Sequence, residues 1–175
     1  MKLIKTKLKD LFILQTDIFK DNRGFFKEVE KKKILNKKFV FDCFSFSKKN
    51  TLRGLHLQRK KSQAKLLTVV QGKILDVVVD LRKKSKTYGK KYSIILSDKN
   101  VTSLYIPAGF AHGFCSLEKE NIVLYACTNY RSKKDEVGIL WSDTTLKIKW
   151  PIKKPIISNK DKKNMLLNSF IKKFK

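Results

Sequence analysis

The sequence predicts an all-β fold, a sandwich or barrel built from short strands. Three observations support this class. Runs rich in β-branched and aromatic residues recur through the middle of the chain, turn-forming residues separate them, and clear helical periodicity appears only near the C-terminus. The chain has 175 residues, 42% of them hydrophobic, which is enough to bury one core. We therefore expect a single domain over residues 1–175.

The sequence pattern of the N-terminal part of the chain predicts three strands. Residues 11–30 have the pattern of two short strands around the turn at Asp21–Gly24. Residues 39–47 alternate in a way that places apolar side chains on both faces of one strand. The next turn, Lys48–Asn50, leads into the segment TLRGLHLQ.

A second group of strands follows this segment. Two β-branched runs flank Gln71 and Gly72, and this arrangement predicts a β-hairpin whose turn is that pair. Turn residues at Ser97–Asn100 and Pro107–Gly109 separate further strands. These strands are predicted at residues 91–97, 102–106, 112–117 and 121–129.

The C-terminal segment carries the helical signal. Ser158–Asp161 has the form of a capping box, in which a serine and an acidic residue three positions later cap a helix N-terminus. Apolar residues then recur at helical spacing from Leu166 to Phe174. We expect one short amphipathic helix that packs on the β-structure.

Composition limits the function classes. The formal net charge is +26, which is compatible with nucleic acid, an acidic membrane or an anionic small substrate as a partner. The lysines are scattered, however, and aromatic residues are not interleaved with them as a base-stacking surface requires. We therefore interpret the charge as a solvated basic surface and expect no nucleic-acid partner. The small lysine clusters are Lys31–Lys33, Lys83–Lys84, Lys133–Lys134 and Lys162–Lys163.

Cysteine usage and hydropathy predict the compartment. The three cysteines, Cys43, Cys115 and Cys127, form an odd set without a CxxC pair, which argues against a disulfide framework or a zinc site. The N-terminus lacks the apolar core of a signal peptide, and the longest apolar run, Ile122–Cys127, is too short to cross a bilayer. We expect a soluble cytoplasmic protein without a membrane partner.

The candidate catalytic residues begin with the two histidines of the chain, His56 and His112. A lone histidine in a strand is more often structural than catalytic, but here the sequence context is informative. The spacing Pro107-x-Gly109-x-x-His112 resembles the second cupin motif, in which a turn delivers a histidine into the mouth of a jelly roll. This resemblance implies a cupin-type double-stranded β-helix, or jelly roll, with the short C-terminal helix added to it.

The residues at the first cupin motif differ from those of a metal-binding cupin. A metal-binding cupin has His-x-His and then a glutamate seven residues before a glycine, whereas this chain has His56-x-Gln58 and has Lys65 seven residues before Gly72. An amide is a poor metal ligand, and an ammonium group repels a cation. We therefore expect a site without a metal or another cofactor, with a fixed cation where the metal would have been.

A metal-free pocket with a histidine, a lysine and a tyrosine suits proton abstraction next to a carbonyl group. A base removes the α-proton, the negative charge moves to the carbonyl oxygen, and a positioned cation stabilises that enolate. Reprotonation from the opposite face inverts the carbon centre. Histidine suits the role of the base, and tyrosine, which stays protonated at neutral pH, suits the role of the donor.

Several sequence segments, taken together and in order, match one known protein family. They are DNRGFFKE, LRGLHLQ, AKLLTVVQGKILDVVVDLRKKSKTYG, YIPAGFAHGF, LYACTNY, WSDTTLKIKWP and ISNKD. With these segments the chain resembles the dTDP-4-dehydrorhamnose 3,5-epimerase family, which are metal-free cupin epimerases of nucleotide sugars. The resemblance implies a homodimer that inverts C3, C5 or both in a nucleotide-linked 4-keto-6-deoxy sugar, converting dTDP-4-dehydro-6-deoxyglucose to dTDP-4-dehydro-L-rhamnose.

The resemblance also implies roles for individual residues. His56 matches the proton acceptor of the family, and Asp161 matches the acid that orients it. Tyr125 matches the proton donor and Lys65 the lysine that stabilises the enolate. Residues at substrate-binding positions are Arg23, Glu28, Arg53, His112, Arg131, Glu136 and Lys160. Among them, the residues of the RGFFKE segment match contacts that the family takes from the partner subunit.

Departures from the family pattern leave two alternatives open. Relatives commonly have Asn and His where this chain has Cys43 and Phe44, and Arg131 replaces an aromatic residue that stacks on thymine. The main rival is therefore a single-centre epimerase of a GDP-, CDP- or UDP-linked 4-keto sugar. The second alternative is a catalytically inactive basic β-barrel that binds nucleotide or nucleic acid. Such a protein would be expected to have lost at least one of the residues matched to catalysis.

Overall fold

Two antiparallel β-sheets dominate the computed structural model, which describes residues 1–174. Lys175, the last residue of the predicted single domain, lies outside the described residues. The N-terminal strands are β1 Lys2–Lys5, β2 Phe12–Gln15, β3 Ile18–Asp21, β4 Gly24–Lys27, β5 Phe41–Lys48, β6 Leu52–Gln58 and β7 Lys65–Gln71. They are followed by β8 Lys73–Asp80, β9 Lys91–Ser97, β10 Thr102–Ile106, β11 Phe110–Ser116, β12 Glu120–Cys127 and β13 Glu136–Gly138. The α-helices are α1 Lys32–Leu35, α2 Asn159–Lys162 and α3 Leu167–Lys173, and a 3₁₀ helix spans Lys133–Asp135.

The strand order follows a jelly-roll arrangement. The larger sheet has the order β1-β2-β10-β7-β12-β5, and the smaller sheet has the order β13-β6-β11-β8-β9. Strands β3 and β4 form a separate hairpin whose turn confirms the one predicted at Asp21–Gly24. The all-β prediction is therefore confirmed. In the described part of the chain, none of the helices has the length and apolar character needed to span a membrane.

The core lies between the two sheets. Because successive side chains of a strand alternate between its faces, each strand sends every second residue inward. The larger sheet contributes Leu67, Val69, Leu104 and Val123, and the smaller sheet contributes Ile74, Val78, Leu96, Phe110 and Phe114. A second cluster on the outer face of the smaller sheet buries strand residues beneath α3. Strand β8 is thus buried on both faces, which explains its nearly continuous apolar sequence from Ile74 to Val79.

The hairpin predicted at Gln71 and Gly72 is wrong. Strand β7 pairs with β10 and β12, whereas β8 pairs with β9 and β11 in the other sheet. Gly72 has a φ of +84°, and a Cβ atom at this position would lie 2.3 Å from the carbonyl oxygen of Glu120. The chain therefore crosses from one sheet to the other at a position that requires glycine.

The C-terminal segment forms two helices instead of the one that was predicted. Ser158 caps α2 by accepting a hydrogen bond from the backbone N–H of Asp161. A separate helix, α3, packs Leu167 and Phe170 onto the smaller sheet. Between the two helices the chain forms a β-bridge from Met165 to Ile139, and this contact interrupts the helical path.

Candidate active site

A cavity of about 860 Å³ opens between the inner faces of the two sheets and the segment that leads into α2. Both sheets and this segment contribute side chains to its lining. Of the eleven residues predicted for the site, the cavity is lined by Arg53, His56, Lys65, His112, Tyr125, Arg131, Glu136, Lys160 and Asp161. Residues that are far apart in the sequence therefore meet in one place.

His56 on β6 is held by a carboxylate from the C-terminal segment. Its Nε2 atom lies 2.6 Å from Oδ1 of Asp161, and Oδ2 of the same carboxylate accepts the backbone N–H of Gly54 at 3.0 Å. Burial opposes ionisation of Asp161, but the hydrogen bonds from His56 and Gly54 lower its pKa. An ionised Asp161 accepts the hydrogen of Nε2, which leaves Nδ1 of His56 as the proton acceptor. Asp161 thus combines its predicted capping position with an orienting contact.

Gly54 allows the two histidine-bearing strands to approach closely. It has a φ of +113°, and a Cβ atom there would lie 2.6 Å from Cα of Gly113 on β11. No larger residue fits this approach without displacing the backbone. As a result His56 and His112 lie directly opposite each other across β6 and β11.

His112 has its own carboxylate partner, which the sequence analysis missed. Its Nε2 atom lies 2.7 Å from Oδ2 of Asp76 on β8, a residue that is fully buried. Among the described residues, Oδ1 of Asp76 has no hydrogen-bond partner. Asp76 interrupts the apolar run of β8, and a buried acid of this kind requires a polar or charged partner. The sequence did not show that this partner is His112.

Lys65 and Tyr125 lie on the opposite wall, which belongs to the larger sheet. Lys65 is on β7, and burial lowers the pKa of its ammonium group. Tyr125 is on β12, with its hydroxyl 3.3 Å from Oγ of Ser45 and its ring packed edge-on against His112. Burial raises the pKa of Tyr125 well above its ordinary value, so its hydroxyl stays protonated at neutral pH.

Basic side chains surround the mouth of the cavity. Arg53 is fixed by hydrogen bonds from Nε to Oγ of Ser47 at 3.0 Å and from Nη2 to a backbone carbonyl at 2.9 Å. Glu136 accepts a hydrogen bond from the Lys160 ammonium group, and its carboxylate lies 3.5 Å from Nε of Arg131. Burial opposes ionisation of Glu136, but Lys160 and the other nearby cations lower its pKa. The excess of positive charge suits an anionic ligand.

Two predicted site residues lie outside this cavity. Arg23 is at the tip of the β3–β4 hairpin, where its guanidinium bonds Asp21 at 2.6 Å. Glu28 follows the hairpin and pairs with Lys31 at 2.6 Å. Within one chain these two residues therefore do not join the others.

The ligand-like positions of the altered cupin motif point in different directions. Gln58 donates to the carbonyls of Lys61 and Tyr130 and accepts the backbone N–H of Ser132, so its amide organises a loop. Lys65 faces the cavity. In residues 1–174, no group of three or more His, Cys, Asp or Glu side chains is arranged to hold a metal ion.

Comparisons with known proteins identify the family of the chain. The family model described as dTDP-4-dehydrorhamnose 3,5-epimerase matches residues 5–169. The chain is 44% identical over 168 residues to the dTDP-4-dehydrorhamnose 3,5-epimerase of Shigella flexneri, with 92% of this chain and 93% of that protein covered.

Solved structures show the same fold. The dTDP-4-dehydrorhamnose 3,5-epimerase of Bacillus anthracis, with TDP and pyrophosphate bound, matches with a TM-score of 0.91 and 44% identity over 95% of this chain and 99% of that chain. The dTDP-6-deoxy-D-glucose-3,5-epimerase of Legionella pneumophila, in complex with dTDP-4-keto-L-rhamnose, matches with a TM-score of 0.91 and 39% identity, covering 95% and 93%. These likenesses confirm the cupin-type jelly roll. Because they extend over nearly the whole chain, the protein is an isomerase that belongs to the dTDP-4-dehydrorhamnose 3,5-epimerase family.

Proposed function

We propose that this protein inverts C3 and C5 of dTDP-4-dehydro-6-deoxyglucose to give dTDP-4-dehydro-L-rhamnose. The observation that carries the proposal is the division of groups between the cavity walls. One wall holds the acid-paired imidazole of His56, and the other holds Lys65 and Tyr125. The reaction in the names of the relatives with about 40% identity supports the same conclusion.

In this proposal His56 starts each inversion. Its free Nδ1 atom removes the proton from a carbon next to the C4 carbonyl, and the electron pair moves to the carbonyl oxygen. Asp161 stabilises the imidazolium that forms. The Lys65 ammonium donates to the enolate oxygen, and its lowered pKa makes it a stronger hydrogen-bond donor toward that oxygen.

Tyr125 completes the inversion by returning a proton to the other face of the sugar. Its position on the larger sheet, across the cavity from His56, supports delivery from the opposite side. The raised pKa keeps this proton on the hydroxyl until the carbanion forms. His112, whose ring Asp76 orients, is left to hydrogen-bond the substrate, and Arg53 offers its guanidinium fork to the diphosphate.

A count of the inverted centres tests the proposed function. The protein is incubated with dTDP-4-dehydro-6-deoxyglucose in deuterated water, and the product is examined by NMR. We expect deuterium at both C3 and C5. Label at one of these positions alone would replace the proposal with the single-centre alternative.

We expect the protein to discriminate between nucleotide bases less strongly than a relative with an aromatic stacking residue in place of Arg131. Base–aromatic stacking contributes roughly 1–3 kcal/mol, up to about a hundredfold in affinity. Arg131 is exposed and pairs with Glu136, so its guanidinium offers charge to a phosphate as readily as a flat face to a base. We expect salt-sensitive binding of nucleoside diphosphates, with dTDP preferred by less than about a hundredfold.

Titration of dTDP, UDP, CDP and GDP at two salt concentrations checks this expectation. The control variant is Arg131→Tyr, which should raise the preference for dTDP and reduce the salt dependence. A wild-type preference above about a hundredfold that salt does not change would contradict the prediction. Tighter binding of GDP or CDP than of dTDP would indicate a GDP- or CDP-linked sugar as the substrate, in place of the proposed dTDP-linked one.

The β3–β4 hairpin supports a homodimer in which one chain completes the site of the other. The hairpin joins neither large sheet, and it exposes Phe19, Phe25 and Phe26 at 57%, 61% and 64%. Such an aromatic surface favours burial against a partner. We expect sedimentation at micromolar concentration to give twice the chain mass of 20.4 kDa.

Mixing two inactive variants tests whether the hairpin acts in the neighbouring site. Arg23→Ala and His56→Ala should each reduce activity strongly as homodimers. In a mixed dimer one site combines an intact His56 with an intact Arg23 from the other chain. Statistical exchange should restore about a quarter of the wild-type activity, because half of the dimers are mixed and each has one intact site. An active monomer, or mixing without recovery, would contradict this arrangement.

A further inference from the structure

Two thiols lie in the wall of the cavity and take no part in the proposed reaction. Cys127 on β12 is directly opposite Lys65 on β7, and Cys43 on β5 is directly opposite Tyr125 on β12. Residues opposite one another share a face of the sheet, and residues two apart on β12 share it as well. Both thiols therefore face the cavity, which both of them line.

The two thiols are diagonal neighbours. Burial raises the pKa of Cys43 and raises that of Cys127 to about 11, and each thiol also influences the pKa of the other. Neither thiol is therefore a ready nucleophile at neutral pH. Cys115, in contrast, is fully buried on β11 and does not line the cavity. The cavity thus contains one pair of thiols, and the third thiol of the chain is separate from it.

We infer that Cys43 and Cys127 form a two-coordinate site for Cu(I), a soft monovalent cation, and that occupancy of this site blocks the active cavity. Binding replaces two S–H bonds with two Cu–S bonds and releases two protons to solvent. No electron is transferred, so the step needs neither oxidant nor reductant.

The ligand set selects the ion. Thiolates are soft ligands and favour Cu(I), zinc and iron–sulfur clusters. Structural zinc requires four ligands, and no third His, Cys, Asp or Glu joins a metal-binding group in the described residues. Two metal–sulfur bonds of about 2.3 Å bridge sulfurs up to about 4.6 Å apart. In a disulfide the two sulfur atoms are about 2 Å apart. A bridging ion therefore requires less movement of strands β5 and β12 than a disulfide between the same residues would.

Charge complementarity supports the same ion. Two thiolates and one Cu(I) carry a net charge of −1, and Lys65 is the cross-strand partner of Cys127, close enough for its charge to act on that thiol. The complex is therefore attracted to Lys65. That attraction also explains the expected inhibition, because Lys65 would then neutralise the complex instead of the enolate.

Anaerobic titration with Cu(I), buffered by bicinchoninate and without substrate, tests the site. Wild-type protein and the control variant Cys115→Ser should bind one equivalent of Cu(I). Cys43→Ser and Cys127→Ser should each lose at least about a hundredfold in affinity, since one thiolate cannot close a two-coordinate site. One equivalent should also abolish epimerisation by the wild-type protein.

Several outcomes would overturn the inference. One is affinity in Cys43→Ser or Cys127→Ser within a few fold of the wild type, and another is a loaded wild-type protein that turns over normally. If a serine variant does not fold, labelling of wild-type protein with iodoacetamide at alkaline pH, where part of the Cys43 thiol is ionised, replaces it. One equivalent of Cu(I) should then protect Cys43, and unchanged labelling would exclude the site. Binding is measured without substrate, so it fails or succeeds independently of the proposed reaction.

Discussion

Replacement of His56 by alanine is expected to lower solvent-deuterium incorporation into the 4-keto sugar nucleotide by about 10²–10⁴-fold, the usual contribution of a positioned general base. His56 is the imidazole in the cavity whose partner, Asp161, is a carboxylate also held by a backbone N–H. Exchange is measured by NMR in deuterated water, with circular dichroism and dTDP binding to verify the fold. Wild-type exchange in a folded His56→Ala variant would remove this residue from the mechanism.

Two further variants separate the roles of Asp161. Asp161→Asn keeps the size of the side chain but removes its charge, so it should reduce exchange substantially without emptying the site. Ser158→Ala removes the cap of α2, at a cost of about 1 kcal/mol of stability, and leaves the contacts of the Asp161 carboxylate with His56 and Gly54 in place. It should leave exchange nearly unchanged. Equal loss in both variants would indicate that Asp161 acts through the helix and not through His56.

Tyr125→Phe is expected to reduce completed inversion by about a hundredfold or more while initial exchange persists. The substitution removes the donor hydroxyl but leaves the ring, which packs against His112. In the proposed mechanism, His56 can still remove the proton and, after exchange with solvent, return a deuteron to the same face. Comparison of the rate of label incorporation with the rate of product formation measures the difference.

The matched control for this variant is Ser45→Ala. Ser45 is the hydrogen-bond partner of the Tyr125 hydroxyl, at 3.3 Å, and its loss leaves the donor in place. We therefore expect a change of only a few fold in both rates. Equal loss of exchange and inversion in Tyr125→Phe would contradict the division of work between His56 and Tyr125.

Most strands were predictable because their signal is local. Alternation and β-branched runs decide which side chains share a face, and this information lies within a few neighbouring residues. The partner of a strand is different. Gln71 and Gly72 have the local pattern of a hairpin, yet β7 and β8 belong to opposite sheets. Which strands β7 and β8 pair with depends on how the two sheets pack together, and this packing involves residues from the whole chain.

The candidate site divides in a similar way. The resemblance to the family supplied the nine residues that meet in the cavity, from Arg53 to Asp161. It did not reveal Asp76, whose pairing with His112 depends on the register between β8 and β11. Arg23 and Glu28 lie outside the cavity of their own chain, so their predicted contacts stay a prediction that the mixed-dimer experiment tests.

By itself the sequence determined the all-β class and the C-terminal helix-forming segment. Both follow from residue type and short-range periodicity. Only the tertiary structure decided that the Asp161 carboxylate turns toward His56 and Gly54, and that Cys43 and Cys127 share a wall with Lys65. These contacts join residues far apart in the chain. Their geometry depends on sheet register and core packing, which are set by the whole fold at once.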